Sequence, residues 1–175
     1  MLRKSNQFYK ENIFRELKEK NAILTAGDKT HGFHSLTVSW GGIGVLWGCD
    51  VAFLFVRKSR FTHQFLEKCE SVTLSFLDEQ YKDKVEFMGT HSGKDMDKMK
   101  ACGLSYTYDP DYDGAYIKEA SYCFKMKKLY EMELSYDLLS EQLKERFYPT
   151  KDMHTMYVCE IKQFLVTEEI YDTLY

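Results

Sequence analysis

The segment Arg57-Lys58-Ser59-Arg60-Phe61-Thr62 places three cationic side chains and two hydroxyls within six residues. It follows an apolar run that ends at Val56, and an amphipathic pattern starts inside it, so we expect it to join a strand to a helix. Ser59 is the predicted N-cap of this helix, which would extend to about Lys68. Basic side chains beside the unpaired N–H groups of a helix start can form a phosphate site. The alternative is a solvated charge cluster beside an ordinary capped helix.

A second candidate surface comes from the alternating run Leu36-Thr37-Val38-Ser39-Trp40. A strand with period two would place Leu36, Val38 and Trp40 on one face. Thr37 and Ser39 would then share the other face, which would carry small hydroxyls and accessible backbone. The pattern therefore predicts a strand against which a ligand can lie.

Other residues of chemical interest form weaker patterns. The run Gly42-Ile43-Gly44 lacks the G-x-G-x-x-G spacing and precedes a strand pattern, which argues against a dinucleotide fold. His31 and His34 lie in a glycine-bearing stretch without a recognised ligand set, so we predict loop histidines without a metal role. A Ser/His/Asp triad is neither indicated nor contradicted. The five cysteines are odd in number and contain no Cys-x-x-Cys pair, which favours reduced, mostly buried thiols over disulfides or structural zinc; they are Cys49, Cys69, Cys102, Cys123 and Cys159.

Composition limits the class of protein. The 175 residues are near the size of one domain, and we expect a single domain over 1–175. The 24 basic and 27 acidic residues give a net charge of −3 without a basic stripe, so no nucleic-acid partner is expected. The longest apolar stretch, Val51 to Val56, is far shorter than the roughly 20 residues of a spanning helix. The first residues do not resemble a secretory signal, and we expect a cytoplasmic protein that does not contact membranes.

The elements that would position these residues follow from periodicity. An amphipathic helix is expected within an N-terminal extension over 1–20, ahead of a core over about 22–165. Glycines 41, 42, 44 and 48 predict a flexible stretch, and the apolar run Val51 to Val56 predicts a strand buried on both faces. In the helix that follows, His63 is expected on the outer side. The remaining predicted strands are 23–26, 72–76, 106–108, 120–134 and 155–166. The remaining predicted helices are about 80–87 and 94–101, with a loop at 89–93 and a C-cap at Gly103, and residues 140–148 are expected to be helical or irregular. This order predicts a mainly β fold, a β-barrel with inserted helices.

Four segments in this order resemble the flavin reductase-like family, a branch of the FMN-binding split β-barrels. They cover most of the chain, from about 22 to 165. The four segments are Leu36 to Gly41, Val51 to Thr62, Phe87 to Asp95 and His154 to Ile161.

The resemblance implies a homodimer that binds FMN at the subunit interface, and it implies a role for individual residues. The strand Thr37-Val38-Ser39-Trp40 would run along the flavin, and Arg57, Ser59, Arg60 and Thr62 would surround its phosphate. The loop His91-Ser92-Gly93-Lys94 would supply further flavin contacts. His154 would contact the flavin or a nicotinamide and is the candidate catalytic residue.

The function implied by the resemblance is oxidoreduction. Hydride would pass from NADH or NADPH to the flavin and electrons would continue to an unknown acceptor. The main alternative is an FMN-binding electron carrier or interaction module without turnover of its own. A split-barrel relative that binds haem or a B6 vitamer is a third hypothesis.

Overall fold

The computed structural model describes residues 12–167 and the backbone of a strand at residues 2–5. The chain is mainly β, as predicted. Its strands are Leu2–Ser5 (β1), Ala22–Asp28 (β2), Gly32–Val38 (β3), Gly41–Leu46 (β4), Cys49–Arg57 (β5), Ser71–Phe76 (β6), Tyr106–Asp109 (β7), Tyr112–Ile117 (β8), Tyr122–Glu133 (β9) and His154–Thr167 (β10).

Short helical segments connect the strands. Part of the predicted N-terminal helix, residues 7–11, lies outside the described residues, and its C-terminal part is helical, with a π-helical turn at Glu16–Lys20. The α-helices are Ile13–Arg15 (α1), His63–Lys68 (α2), Lys82–Thr90 (α3), Lys98–Cys102 (α4) and Glu141–Phe147 (α5), and 3-10 turns occur at Glu79–Tyr81 and Tyr136–Leu138.

One antiparallel sheet carries the fold, in the order β3-β2-β6-β9-β10-β5-β4, with β1 paired to β10. The path of strand pairing is open, so the sheet is not a closed barrel. Its two edge strands, β3 and β4, are consecutive in the chain and are joined only by Ser39 and Trp40. The strand pattern that predicted a ligand surface is therefore located at the opening of the sheet.

The inner face of the sheet buries the main core. Leu54 of β5, Phe124 of β9 and Tyr157 of β10 are almost fully buried in the same cluster of side chains. A second core lies where α3 and α4 pack on β2, around Ile23, Val85 and Met88. Each Å² of apolar surface removed from water contributes about 25 cal/mol to the free energy of folding, so these two clusters are the main source of stability.

Three sequence predictions about local structure were wrong. The glycine-bearing stretch is an edge strand, since Gly41 to Leu46 pair in register with Leu54 to Cys49 of β5. The α-helix after β5 begins at His63 and not at Ser59, because a turn that includes a bond from Arg60 N–H to the Arg57 carbonyl comes first. The loop predicted at 89–93 starts only after Thr90, where α3 ends.

Other predictions about the elements were confirmed. Gly103 ends α4 in the left-handed conformation at φ 66°. The predicted ribbon at 120–134 is the twelve-residue β9. All five cysteines are free thiols. In the described part of the chain, no helix combines the length and apolarity needed to cross a membrane.

Candidate functional site: two clefts that share Arg60

The first cleft lies at the opening of the sheet, where β3 ends beside the C-terminal end of β5. Its volume is about 210 Å³. Strand pairing of β3 stops at Val38 and pairing of β4 starts at Gly41, so the N–H groups of Ser39 and Trp40 lie outside both pairings. The lining residues are Leu36, Thr37, Val38, Ser39, Trp40, Phe55, Val56, Arg57, Arg60 and His154.

Trp40 is not on the buried face that the alternation predicted. Because β3 ends at Val38, the chain turns and leaves the indole 38% exposed at the rim of the cleft. Its ring lies 4.8 Å from the His154 ring and 5.2 Å from the ring of Phe147. The indole therefore forms an aromatic wall of the first cleft.

Thr37 contributes backbone but not its hydroxyl. The hydroxyl donates to the carbonyl of Val85 in α3 at 2.5 Å. Helix α3 approaches so closely that a Cβ placed on Gly89 would lie 3.1 Å from the Thr37 Cβ. Thr37 thus fixes α3 against β3, and the expectation of a free hydroxyl here was wrong.

Arg57 holds two segments together. Its Nη1 donates to the carbonyl of Asp152 at 2.7 Å and its Nη2 to the carbonyl of Phe147 at 2.8 Å. The guanidinium also lies over the Tyr148 ring, 5.2 Å from its centroid. These contacts attach the end of β5 to the segment that leads into β10, so the guanidinium of Arg57 lines the cleft while its hydrogen bonds are made within the protein.

His154 pairs directly with Arg57 in the sheet register and shares its face. Its Nδ1 lies 2.9 Å from the hydroxyl of Tyr148. Burial, followed by the positive charge of Arg57, lowers the pKa of His154 to about 4. The imidazole is therefore neutral at pH 7, and a hydrogen donated to Nδ1 by Tyr148 leaves an N–H on Nε2.

A second cleft, of about 220 Å³, adjoins the first through Arg60. Within residues 12–167 the guanidinium of Arg60 makes no hydrogen bond or ion pair, and the side chain is exposed. The ammonium of Lys94 reaches the same cleft and is likewise exposed. Two cations without an ion-pair partner among the described residues therefore face one small space, which the carboxylate of Glu67 also lines. Its lining residues are Lys58, Ser59, Arg60, Phe61, His63, Gln64, Glu67 and Lys94.

Lys58 and Ser59 line this cleft but have acidic partners. Ser59 donates its hydroxyl to Asp152 at 2.6 Å, and its N–H donates to the same carboxylate at 3.3 Å. The ammonium of Lys58 pairs with Glu133. The N–H groups of Ser59 and Arg60 are thus bonded within the protein, to Asp152 and to the Arg57 carbonyl, and are not free for a phosphate as the sequence predicted.

Thr62 is buried and 1% exposed. Its hydroxyl lies 2.7 Å from Nδ1 of His34, which belongs to β3 and not to a loop. The His34 ring also contacts Phe61 and Phe65, at 4.8 and 5.5 Å between centroids. Burial, then the charge of Lys98, lowers the pKa of His34 to about 4. The Thr62 hydroxyl is therefore not available to a ligand, and together the two groups attach β3 to α2. His63, which was predicted outside, is also buried.

The loop His91-Ser92-Gly93-Lys94 divides into two parts. The exposed His91 ring stacks on Phe87 at 3.8 Å, and neither His91 nor Ser92 lines the two clefts. Gly93 packs so tightly on β3 that an added Cβ would lie 1.9 Å from Nε2 of His34. This contact brings Lys94 to the second cleft.

A larger cleft, of about 480 Å³, lies on the other side of Lys94. It contains a side chain that the sequence did not single out, since Lys98 is buried and donates to the carbonyl of Met88 at 2.8 Å. Burial and the nearby Arg60 lower the pKa of Lys98 to about 8. The only sequence signal for Lys98 was its place inside the helix predicted at about 94–101, which in the structure begins at Lys98. Lys94 thus faces two clefts and is available from both.

Comparison with known proteins identifies one matching family, described as the flavin reductase like domain, which covers residues 14–175. No curated protein matches the chain.

Solved structures share the fold at low sequence identity. Flavoredoxin of Desulfovibrio vulgaris (Miyazaki F) is 19% identical, with a TM-score of 0.67 over 85% of this chain and 70% of that chain. An FMN-binding domain of a flavin reductases-like enzyme from Shewanella baltica OS155 is 12% identical, with a TM-score of 0.63 over 88% and 72%. An FMN-binding protein from Thermus thermophilus with bound p-hydroxybenzaldehyde is 17% identical, with a TM-score of 0.66 over 98% and 85%.

Proposed function

The chain belongs to the flavin reductase-like domain family, and from this premise we propose that it is an FMN-binding oxidoreductase whose flavin occupies the two clefts that share Arg60. The ring system would lie in the first cleft against Ser39, Trp40 and His154. The phosphate would lie in the second cleft, between Arg60 and Lys94. The observation that carries this proposal is that Arg60 and Lys94, which have no ion-pair partner within residues 12–167, line the cleft that adjoins the one with the aromatic wall of Trp40.

The donor set of the clefts fits the chemistry of FMN. A flavin ring needs a flat apolar wall and N–H donors for its carbonyl edge, and the phosphate needs cations. Trp40 supplies the wall, and the N–H groups outside the strand pairings, at Ser39 and Trp40, supply the donors. Contacts from Arg60 and Lys94 to a phosphate would each be charge-assisted. The order of these groups along the connected clefts matches a ligand with one apolar and one dianionic end.

Bound FMN would accept hydride from NADH or NADPH and pass electrons to a second acceptor. The residues of the chain orient the reactants and set the local charge. The neutral His154 can hold a proton at Nε2 beside the ring, while Tyr148 fixes its orientation. The charges of Arg57 and Arg60 favour electron density near the first cleft.

We propose a homodimer that covers the outer face of the sheet beside the first cleft. Register places Met132, Met156 and Phe55 side by side on this face, and Tyr130 follows on the same side of β9. Tyr130 and Met132 are each 46% exposed, and Trp47 is 60% exposed and contacts the Tyr130 ring. Because Phe55 also lines the first cleft, a second copy on this face would complete the flavin site. Tyr130→Glu together with Met132→Glu is expected to give monomers in light scattering and to weaken FMN binding, and a dimer with unchanged FMN affinity would contradict this interface.

We further place the protein in the cytoplasm, where its five free thiols would stay reduced.

A non-catalytic electron carrier is the second candidate function. The observation that favours it is that flavoredoxins stand among the similar structures. A carrier would bind FMN in the same clefts and would be reduced by another protein instead of by NADH or NADPH.

The decisive experiment is an absorption spectrum of the purified protein followed by anaerobic titration. We expect flavin bands in the purified protein or, after the flavin is removed, a higher Tm when FMN is added. Bleaching by NADH or NADPH alone supports the oxidoreductase, whereas bleaching that needs an added reductase supports the carrier. A protein that neither contains a flavin nor gains stability from FMN would overturn both functions, and a haem spectrum would do the same.

A further inference from the structure

Three side chains with metal-binding atoms meet at the opposite end of α2 from Arg60. The carboxylate of Asp28, Nδ1 of His31 and Sγ of Cys69 all lie within 4.8 Å of one another. Asp28 ends β2, His31 lies in the turn before β3, and Cys69 directly follows α2. The fold thus joins residues that the sequence separates by three strands and a helix.

The carboxylate is already oriented by the turn. Asp28 Oδ1 accepts hydrogen bonds from the N–H of Thr30 at 2.8 Å and from that of His31 at 2.7 Å. His31 Nδ1 lies 2.9 Å from both carboxylate oxygens. These bonds hold the pKa of Asp28 well below its usual range. Oδ2 faces the imidazole and can take a cation while Oδ1 keeps its backbone bonds, which is how outer hydrogen bonds orient metal ligands.

The thiol of Cys69 completes the cluster from the side of the core. It is 3% exposed. Burial and its hydrogen bond to Asp28 raise the pKa of Cys69 to about 11, so without a cation the sulfur keeps its proton at pH 7. Besides Asp28, the charged groups that act on this thiol are the ammonium of Lys128, which pairs with Glu131, and the carboxylate of Asp113. The three ligand atoms within 4.8 Å of one another make metal binding the chemistry to consider here.

We propose that Asp28, His31 and Cys69 form a Zn²⁺ site with one position open to water, separate from the flavin clefts. A thiolate, an imidazole and a carboxylate are the ligands that Zn²⁺ accepts in tetrahedral geometry, whereas Mg²⁺ and Ca²⁺ require oxygen ligands. Binding replaces the thiol proton with a Zn–S bond and releases one proton to solvent. His31 binds through Nδ1 once the hydrogen that Nδ1 shares with the Asp28 carboxylate moves to Nε2, and Asp28 is already ionised. This assignment departs from the expectation of a histidine without a metal role.

Such a metal would attach the turn between β2 and β3 to the C-terminal end of α2. The other end of this helix is already attached to β3 by the contact between Thr62 and His34. With both ends fixed, the turn that carries Arg60 would be held more firmly against the sheet. The effect is structural, because metal binding that accompanies folding contributes directly to folding free energy.

The test uses Co²⁺ as a spectroscopic probe and Zn²⁺ as the ligand, on the full chain treated with a chelator. Co²⁺ bound to this cluster should give a thiolate-to-cobalt charge-transfer band and the intense visible bands of a tetrahedral site. One equivalent of Zn²⁺ should remove both, raise Tm and release one proton per chain. Binding without a thiolate band, or no binding by folded protein, would overturn the proposal.

Variants then assign the ligands. Cys69→Ser and His31→Gln should each weaken Zn²⁺ binding by more than the roughly 10- to 100-fold that loss of an outer-shell partner costs. Cys102→Ser, which alters a half-buried thiol elsewhere, is the matched control and should keep the wild-type affinity and the cobalt spectrum. If Cys69→Ser fails to fold, His31→Gln alone decides, since its exposed side chain is 46% accessible. Wild-type affinity in His31→Gln, or loss of affinity in Cys102→Ser, counts against the site.

Discussion

The two clefts that share Arg60 differ in how their polar side chains are held. In the first cleft, Arg57 is bonded to two carbonyls and His154 to Tyr148. In the second cleft, Arg60 and Lys94 extend from a turn and a loop and are exposed. One set of charges is therefore committed to the fold, and the other is available to a ligand.

A basic residue near a candidate site is therefore informative only when its partners are known. Arg57 and Arg60 are three positions apart and were given the same role by the sequence. Their substitution should separate stability from ligand affinity, because a partly buried, hydrogen-bonded cation contributes to folding and an exposed cation without a partner contributes to ligand binding.

The largest effect is expected for Arg60→Ala combined with Lys94→Ala. Loss of the two charge-assisted contacts should reduce FMN affinity by roughly 1.5 to 3 kcal/mol for each contact. The free energy of unfolding of the flavin-free protein should change little. Titration with FMN and with riboflavin, which lacks the phosphate, measures the difference.

The control for that experiment is Lys58→Ala, since Lys58 lines the same cleft but pairs with Glu133. It should weaken FMN binding far less than the double variant. Equal losses for FMN and riboflavin in the double variant would mean that the cations do not contact the phosphate.

Arg57→Met should affect mainly the fold. The variant removes the bonds to the carbonyls of Phe147 and Asp152, and we expect the free energy of unfolding to fall by roughly 1.5 to 3 kcal/mol. Denaturant unfolding without flavin measures this loss. If stability is unchanged while FMN affinity drops and riboflavin affinity does not, Arg57 contacts the phosphate as Arg60 does. The proposed contrast between the two clefts would then be wrong.

Thr62→Val tests the corrected position of a predicted phosphate ligand. The valine keeps the volume but leaves Nδ1 of His34 without its partner, so stability should fall by about 1 to 3 kcal/mol. The ratio of FMN to riboflavin affinity should stay at its wild-type value. A loss of FMN affinity without a loss of riboflavin affinity would instead mean that Thr62 contacts the phosphate.

The smallest effect at neutral pH concerns His34 and His154, the two histidines with lowered pKa values. The pKa values of His34 and His154 are lowered from 6.5 to about 4, so between these limits the unfolded chain binds more protons than the folded one. The contribution of these two neutral histidines to the free energy of unfolding should therefore be fully present above about pH 6.5 and should decline as the pH falls towards 4. In His154→Gln, denaturant unfolding across this range should show a shallower decline, and an unchanged slope would mean that His154 is not buried in its neutral form.

Much of the fold follows from local patterns. The alternation in β6, the apolar run of β5 and the glycine after α4 each specify a local element, because side-chain period and backbone conformation act over a few residues. The glycine-bearing strand β4 was missed because glycines carry no side-chain pattern, and register with β5 determines its conformation.

The candidate site was predicted in part. The residues that meet in the first cleft, Trp40, Arg57 and His154, were all named from motif resemblance. Their individual roles were not predictable, because hydrogen bonds to partners such as Asp152, Val85 and His34 join distant parts of the chain. Short-range patterns contain no information about such partners.

Local sequence patterns predict that this chain forms strands with short helices and carries cations after β5. The folded chain determines the antiparallel pairing of the strands, which of those cations is free, where the sheet opens, and that Cys69 meets Asp28 and His31. These two groups of properties depend on interactions of different range. Strand period and turn conformation are set by neighbouring residues, whereas burial, pKa and the pairing of charges depend on groups that only the folded chain brings together.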